Sequence, residues 1–367
     1  MDRVGGIGIG FAVGWNIAVI GPIATRLSHV YAISLTVVLL FVTVQFVMHL
    51  VMQIPGGRAA DRLGARTSSL LGLGLIGAGN GVCLIAAQPA LGFAGRAIVG
   101  VGTGFALVGG SDYIRARGGS PVLQGVYGGA SVLSPGIAVA VIPFLADHFG
   151  WRACYASALV VTAASAVLLA VAPAVERTVR HAGEKLRSDF FTDGRLYRLG
   201  AIHAMSFGFS VVVGNTVVTL LEHHGHSKRS AAAVGSLTLL LGFFTRIAGG
   251  RLLRRTDAPT WIAASLAVGG AGAILLALPL PFAALAAAAA VVGLAAGIPF
   301  ARAFTGAALA RPDAPGAAVG FVNAWAALLI VAGTPLVGLT FALPGDGRIG
   351  FLVLGALASL AALATPR

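Results

Sequence analysis

Twelve long apolar runs separated by short polar connections are the feature of this sequence that most limits how it can fold. A helix that crosses a bilayer needs about 20 mostly apolar residues. Because hydrocarbon offers no partner to an exposed backbone amide, each run is predicted to be a helix. The sequence therefore predicts an all-α membrane protein with twelve transmembrane helices, and its 57% hydrophobic and 10% charged residues agree with this. The runs lie at about 4–25, 31–54, 69–87, 90–113, 122–145, 153–173, 196–221, 230–250, 260–279, 282–309, 315–341 and 348–365.

One connection is longer and more polar than the others, and it divides the chain into two sets of six runs. We predict an N-terminal six-helix bundle over residues 1–175, a cytoplasmic linker over 176–195 and a C-terminal six-helix bundle over 196–367. The halves resemble each other: Gly57 in the first charged connection corresponds to Gly250 at an offset of 193 residues. Two repeated halves are a common plan for secondary transporters.

The basic residues predict the orientation of the chain. With both termini on one side, seventeen of the 25 lysines and arginines fall at that face, five fall at the other and three lie inside apolar runs. Positive residues mark cytoplasmic loops, so we expect a multi-pass protein of the cytoplasmic (inner) membrane with both termini inside. The net charge of +13 is then explained by these loops, and a nucleic-acid partner is not needed; the lipid bilayer is the expected surrounding.

The most specific motif is the charged segment 56–69, GGRAADRLGARTSS, which we expect to form a short loop at the membrane face. Its spacing, Gly57-x-x-x-Asp61-Arg62-x-Gly64-x-Arg66, resembles the connection between the second and third helices of the major facilitator superfamily of secondary transporters. The resemblance implies the fold of that superfamily, in which two pseudo-symmetric six-helix bundles enclose a hydrated pocket. It also implies a monomer that works by alternating access.

In this superfamily the charged connection acts as a cytoplasmic latch, which makes six residues candidates for gating. Asp61 would act as the anion at a helix N-terminus, where roughly half a positive charge resides. Arg62 or Arg66 would pair with Asp112 at the end of the fourth run. The candidates are Gly57, Asp61, Arg62, Gly64, Arg66 and Asp112.

Two further stretches resemble the superfamily. The fourth run reads Arg96-x-x-x-Gly100-x-Gly102-x-Gly104, which is similar to its fourth-helix motif, although small residues also serve helix packing. The fifth run contains Ser134-Pro135-Gly136, a loose relative of a motif associated with antiporters.

Polar residues inside the apolar runs are the candidates for contact with a solute, because charge in hydrocarbon is costly and marks function. The four candidates are Asn16, Arg96, Asn215 and Arg302, on the runs that line the cavity in the superfamily. Arg96 either contacts the solute or ties backbone carbonyls together. We expect Arg246 to extend towards the cytoplasmic surface. His49 and His203 are expected to be packed histidines, with a role in proton transfer left open.

Other classes of function are disfavoured by what the sequence lacks. The two cysteines lie in apolar runs, no closed set of metal ligands is visible, and His223, His224 and His226 do not complete one. No catalytic set or phosphate-binding loop is present, so we expect neither an enzyme nor a cofactor.

The sequence therefore predicts a secondary transporter for a small solute. The charges inside the apolar runs are all arginines, which favours an anion or a polar metabolite and leaves a proton as a coupling ion. A proton-coupled drug or metabolite exporter is the alternative within transport. A non-transporting membrane receptor or structural protein is the alternative of another class.

Overall fold

The computed structural model describes residues 2–175 and 186–365, and within these ranges the chain is helical and contains no β-strand. Residues 176–185 of the predicted linker lie outside the described residues. The α-helices are α1 Asp2–Ala18, α2 Ala24–Tyr31, α3 Leu35–Val51, α4 Gln53–Leu63, α5 Ala65–Ile85, α6 Pro89–Ala116, α7 Pro121–Phe149, α8 Ala153–Ala170, α9 Gly194–His203, α10 Phe209–His223, α11 Lys228–Leu252, α12 Ala258–Leu276, α13 Phe282–Gly297, α14 Phe300–Ala310, α15 Pro315–Leu328, α16 Thr334–Thr340 and α17 Arg348–Ala361.

Most of these helices belong to helical stretches that are long and apolar enough to cross a membrane. Over the described ranges, ten continuous helical stretches meet that criterion, and α3 with α4 makes an eleventh if the pair, bent by 49°, counts as one span. The shorter apolar stretch Arg348–Ala364 lies at the twelfth predicted run. Two of the stretches contain a π-helical turn, Ala204–Gly208 after α9 and Leu329–Gly333 after α15.

The chain forms two compact units. The first contains Met1–Gly119, Ala130–Ser188 and Arg311–Gly320, and the second contains Ser120–Gly129, Asp189–Ala310 and Phe321–Arg367. These groups follow the two predicted halves except for the short segments 120–129 and 311–320. The boundaries predicted at residues 175 and 196 remain predictions.

Glycines place α6 at the centre of the first unit. An added Cβ at Gly102 would meet the backbone of α5 at Gly72, and one at Gly100 would meet the backbone of α3 at Gln45. Small residues at these positions let the helices approach closely. The glycines that follow Arg96 therefore bring α3 and α5 against the helix that carries this arginine.

The charged segment 56–69 differs from the expected loop. Residues up to Leu63 continue α4, α5 begins at Ala65, and only Gly64 between them is non-helical. Gly64 has φ of +88°, a conformation that glycine adopts without a steric penalty. The expectation of a loop was wrong because a single glycine with positive φ is sufficient to separate α4 from α5, so the flanking charged residues remain helical.

Candidate functional site

The carboxylate of Asp61 is fully buried and binds the first turn of α15. The backbone N–H of Gly316 donates to Oδ1 of Asp61 at 2.8 Å, and the N–H of Ala317 donates to Oδ2 at 3.0 Å. Gly316 and Ala317 are the second and third residues of α15, the positions that a helix N-cap serves. A negative charge there also interacts favourably with the helix dipole. We call this contact the Asp61 cap.

The residue that precedes α15 explains why the cap comes from another helix. Ala314 occupies the N-cap position, since its carbonyl accepts from the N–H of Ala318 at 3.0 Å, and its methyl side chain accepts no hydrogen bond. The N-terminus of α7 is instead capped by the residue that precedes it, because Oγ of Ser120 accepts from the N–H of Leu123 at 3.4 Å. The two helices both begin with proline, so the difference lies in the residue before it.

The Asp61 cap depends on a close approach of two backbones at Gly57. A Cβ built on Gly57 would overlap the carbonyl oxygen and carbonyl carbon of Gly316. Any side chain at this position therefore has to push α4 away from the start of α15. Gly57 and Asp61 are one helical turn apart on α4, so the same displacement would stretch the hydrogen bonds of Asp61.

We expect Gly57→Ala to destabilise the protein by about 1–3 kcal/mol, the usual cost of overpacking a tight interior. Gly74→Ala is the matched control, because a Cβ at Gly74 meets nothing within 4 Å. Thermal unfolding of the purified proteins in detergent measures the difference. Equal unfolding midpoints for the two variants would show that the close approach of Gly57 to Gly316 does not contribute to stability.

Arg58, a neighbour of Asp61, and the gating candidates Arg62, Arg66 and Asp112 have contacts of several kinds. Nη1 of Arg58 lies 4.0 Å from Oδ2 of Asp61 and forms an ion pair with it. Asp112, also buried, accepts from Nε of Arg115 at 2.7 Å. Arg66 donates from Nε to the carbonyl oxygen of Leu169 at 3.1 Å, so its recorded partner differs from the expected Asp112. Arg62 is half-buried on α4.

The contacts of Arg66 and Asp112 have separate local causes. Leu169 is in the last turn of α8, where carbonyl oxygens lack helical partners and a cation is favoured. Arg115 is three residues after Asp112 on the same helix, which places the two side chains side by side. The gating role of these residues remains a prediction.

Two of the predicted solute-binding residues, Asn16 and Arg96, meet inside the first unit. Arg96 is fully buried, and its Nη2 donates to the carbonyl oxygen of Asn16 at 2.6 Å and to Oε1 of Gln45. Its Nε and Nη1 are buried and have no hydrogen-bond partner among the described residues. An arginine has five N–H donors and stays charged, so two unpartnered nitrogens are an unusual and costly arrangement.

The side chain of Asn16 extends this polar cluster to two more helices. Its Nδ2 donates to Oγ1 of Thr162 on α8 at 3.0 Å, and its Oδ1 accepts from Nδ2 of Asn80 on α5 at 2.7 Å. Asn80 is fully buried, and within the described ranges its own Oδ1 has no hydrogen-bond partner. We name the group Asn16, Gln45, Asn80, Arg96 and Thr162 the Arg96 cluster.

The sequence interpretation missed Gln45, Asn80 and Thr162. Each of them is a polar residue inside an apolar run, which is the signal that identified Asn16. Their partners could not be deduced from spacing, because the contacts join helices far apart in the chain. Within the described residues the cluster leaves two guanidinium nitrogens of Arg96 unpartnered, and charge-assisted hydrogen bonds from such nitrogens are strong.

Asn215 and Arg302 lie in the second unit. Asn215 is exposed on α10, on the same helical face as Val211, Val218 and Glu222. Arg302 on α14 is half-buried. Their roles in solute binding remain predictions.

The second unit also contains a buried polar group, which is centred on His203 and Arg246. Arg246 is 2% exposed, and its guanidinium lies 4.9 Å from the ring centre of Phe207 and 4.4 Å from that of Phe300. The expectation that Arg246 extends to the membrane surface is therefore wrong. Its Nη1 donates to the carbonyl oxygen of Gly128, and cation–π contacts with the two rings stabilise its charge in the interior.

Comparison with known proteins gives one family and several solved structures. A model of the Major Facilitator Superfamily matches residues 7–334. A search of curated proteins found no match. The structure of the human organic anion transporter TETRAN superposes with a TM-score of 0.79 at 15% identity, over 100% of this chain and 99% of that one.

Two sugar transporters give similar superpositions. The proton:xylose symporter XylE matches with a TM-score of 0.79 at 16% identity, over 99% of this chain and 94% of that one. The E. coli fucose:proton symporter FucP matches with a TM-score of 0.73 at 12% identity, with 100% of both chains covered. At these identities the likeness shows a shared fold.

Proposed function

This chain belongs to the Major Facilitator Superfamily, and on that basis we propose that it is a secondary active transporter that moves a small anion or polar metabolite by alternating access. The superfamily consists of transporters and not of enzymes. We further propose that the chain acts as a monomer in the cytoplasmic membrane with both termini inside. The excess of basic residues in the predicted inner connections supports this orientation.

Arg96 carries the proposal of an anionic solute. It is a fully buried cation with two nitrogens that bind nothing in the described structure. Among the described residues, the carboxylates within spanning helices lie near helix ends, as Asp61, Asp112, Asp147 and Glu222 do. An anion would satisfy the open donors of Arg96, whereas a cation would meet a like charge there. The organic anion carried by TETRAN is a chemical precedent within the same fold.

A proton-coupled exporter of drugs or metabolites is the second candidate, and the packing around Pro135 favours it. A Cβ on Gly14 would overlap the side chain of Ser134 and the carbonyl oxygen of Ser131, so α1 and α7 touch at this point. Ser134-Pro135-Gly136 is the sequence that is loosely similar to the antiporter motif, and it packs closely against α1 here. Pro135 also lies inside α7, where it removes a helical hydrogen bond.

A thermal-shift screen of the purified full-length protein separates these candidates. The probes are toluenesulfonate, succinate, inorganic phosphate, xylose and the lipophilic cation tetraphenylphosphonium. We expect at least one anion to raise the melting temperature, because a ligand that binds only the folded state stabilises it. The shift should be lost in Arg96→Lys. Stabilisation by tetraphenylphosphonium alone would contradict the anion proposal and support the exporter.

A further inference from the structure

His203 is a buried titratable group in the second unit. It ends α9, is fully buried, and its Nε2 lies 3.0 Å from Oδ1 of Asn323 on α15. An amide oxygen can only accept, so Nε2 carries the hydrogen and donates it. Nδ1 is then an acceptor without a proton, and it is buried with no hydrogen-bond partner in the part of the chain that the structure describes. An acceptor left unpartnered in the interior costs free energy and calls for an explanation.

The surroundings of His203 are aromatic, and the charged group beside it is positive. Its ring packs against Phe207, Phe300 and Phe304 at centroid distances of 5.9, 5.6 and 4.9 Å. Arg246 stacks on Phe207 and Phe300, so the imidazole and the guanidinium share these two rings. Among the described residues, Arg246 on α11 is the charged group that interacts electrostatically with His203, and Asn323 on α15 is its hydrogen-bond partner.

The backbone next to this group is irregular on both helices. The π-helical turn Ala204–Gly208 follows His203 directly, and the π-helical turn Leu329–Gly333 follows the helix that carries Asn323. The two helices are in contact here, since a Cβ on Gly208 would meet the carbonyl oxygen of Ala326. Such turns are rare and are often found at functional sites. Both are segments in which a small change of register would move His203 relative to Asn323.

We propose that Nδ1 of His203 is the proton-binding site of the transport cycle and that its proton is carried together with an anion. This inference rests on the proposed function. A proton on Nδ1 would place a second positive charge beside Arg246, and an anion carried in the same cycle would balance the charge that the proton adds. Proton and anion would therefore bind together and move in the same direction. The step is a reversible protonation: Nδ1 takes a proton from water on one side and returns it to water on the other.

Transport under a pH gradient tests the coupling. Purified wild-type protein is reconstituted into liposomes, and uptake of labelled toluenesulfonate, succinate and inorganic phosphate is measured with and without a gradient of one pH unit. For one proton carried with one monovalent anion, we expect roughly tenfold accumulation of the probe. His203→Gln should still exchange the probe across the membrane but should lose the accumulation. His49→Gln is the matched control, because His49 is also buried but its Nδ1 has Oγ1 of Thr103 at 3.0 Å.

The outcomes separate this inference from the proposed function. Uptake of a probe by the wild type without accumulation, or equal accumulation by wild type and His203→Gln, would overturn the role of His203 and leave the transporter intact. Absence of carrier-mediated uptake of every probe would count against the anion transporter itself.

A spectroscopic measurement covers the case in which His203→Gln does not fold. Protein labelled with ¹⁵N-histidine is titrated between about pH 5 and 8, where histidine usually changes charge. We expect the His203 ring to become doubly protonated within this range only when one of the three anions is present. A ring that stays neutral with all three anions would overturn the proposal.

Discussion

Asp61→Asn is expected to slow transport by about ten- to a hundredfold while the protein still inserts and folds. Asparagine keeps one oxygen to accept from the N–H of Gly316 or Ala317 but loses the negative charge and the second acceptor. Hydrogen bonds to a charged group are worth about 1.5–3 kcal/mol, and about 1.4 kcal/mol is a factor of ten in an equilibrium. The conformation in which α4 holds the start of α15 would therefore lose most of its population.

Asp257→Asn is the matched control for the Asp61 cap. Asp257 lies on an exposed connection, where hydrogen bonds from Arg255 and Trp261 hold its pKa at about 2. It is therefore a charged aspartate that, like Asp61, accepts hydrogen bonds on both carboxylate oxygens, but it binds no helix of a distant segment in the described structure. We expect its loss to leave transport unchanged. Wild-type transport by Asp61→Asn at normal expression would contradict the gating role.

A double variant distinguishes helix capping from the connection of two helices. In Asp61→Ala with Ala314→Ser, the new hydroxyl supplies α15 with the local N-cap that Ser120 gives α7. We expect this variant to recover thermal stability, since an N-cap is worth about 0.5–2 kcal/mol. Transport should remain slow, because the link from α4 is still missing. Full recovery of transport would show that Asp61 serves only as a cap.

Arg96→Ala is expected to abolish solute transport, and it is the second large effect. The change removes the donor to Asn16 and Gln45 as well as the two open nitrogens. Breaking a buried charged contact costs about 3–5 kcal/mol when a charge is left behind; here the charge itself is removed, and the cost comes from the unpaired acceptors and the cavity. Loss of transport by this variant alone would therefore not separate binding from stability.

Arg96→Lys makes that separation. A lysine keeps the positive charge and can donate to the same two acceptors, but it lacks the planar fork that presents Nε and Nη1 to a ligand. We expect a folded protein of near wild-type melting temperature whose anion transport falls at least about tenfold. Uptake of the labelled anions in liposomes measures the effect. Unchanged apparent affinity and rate in Arg96→Lys would remove Arg96 from the solute site.

The sequence predicted the fold well because the constraints on membrane helices are strong and local. Superfamily membership and the all-α membrane fold are confirmed by the family match and the superpositions. Run length, composition and the Gly57–Arg66 spacing were sufficient, since each concerns residues close together in the chain. The boundary at Gly64 was less predictable, because one glycine with positive φ replaced the loop that five charged or glycine positions suggested.

The contacts of the candidate sites could not be predicted in the same way. Asn80 and Thr162 bind Asn16 across three different helices, and which faces of those helices meet depends on packing. Arg246 shows the same limit. Its distance from Gly250 suggested a side chain directed to the surface, but the rings of Phe207 and Phe300 stabilise it in the interior. Spacing along one helix does not contain this information.

Counterflow in liposomes is the measurement that tests the central claim most directly. Liposomes that contain the purified full-length protein are preloaded with unlabelled toluenesulfonate, succinate or phosphate, and the entry of the same labelled anion is followed. A carrier that exposes one site to each side in turn predicts faster entry into preloaded than into empty liposomes, with strong slowing in Asp61→Asn and none in Asp257→Asn. Equal entry into preloaded and empty liposomes, or no saturable entry of any of the three anions, would contradict the account.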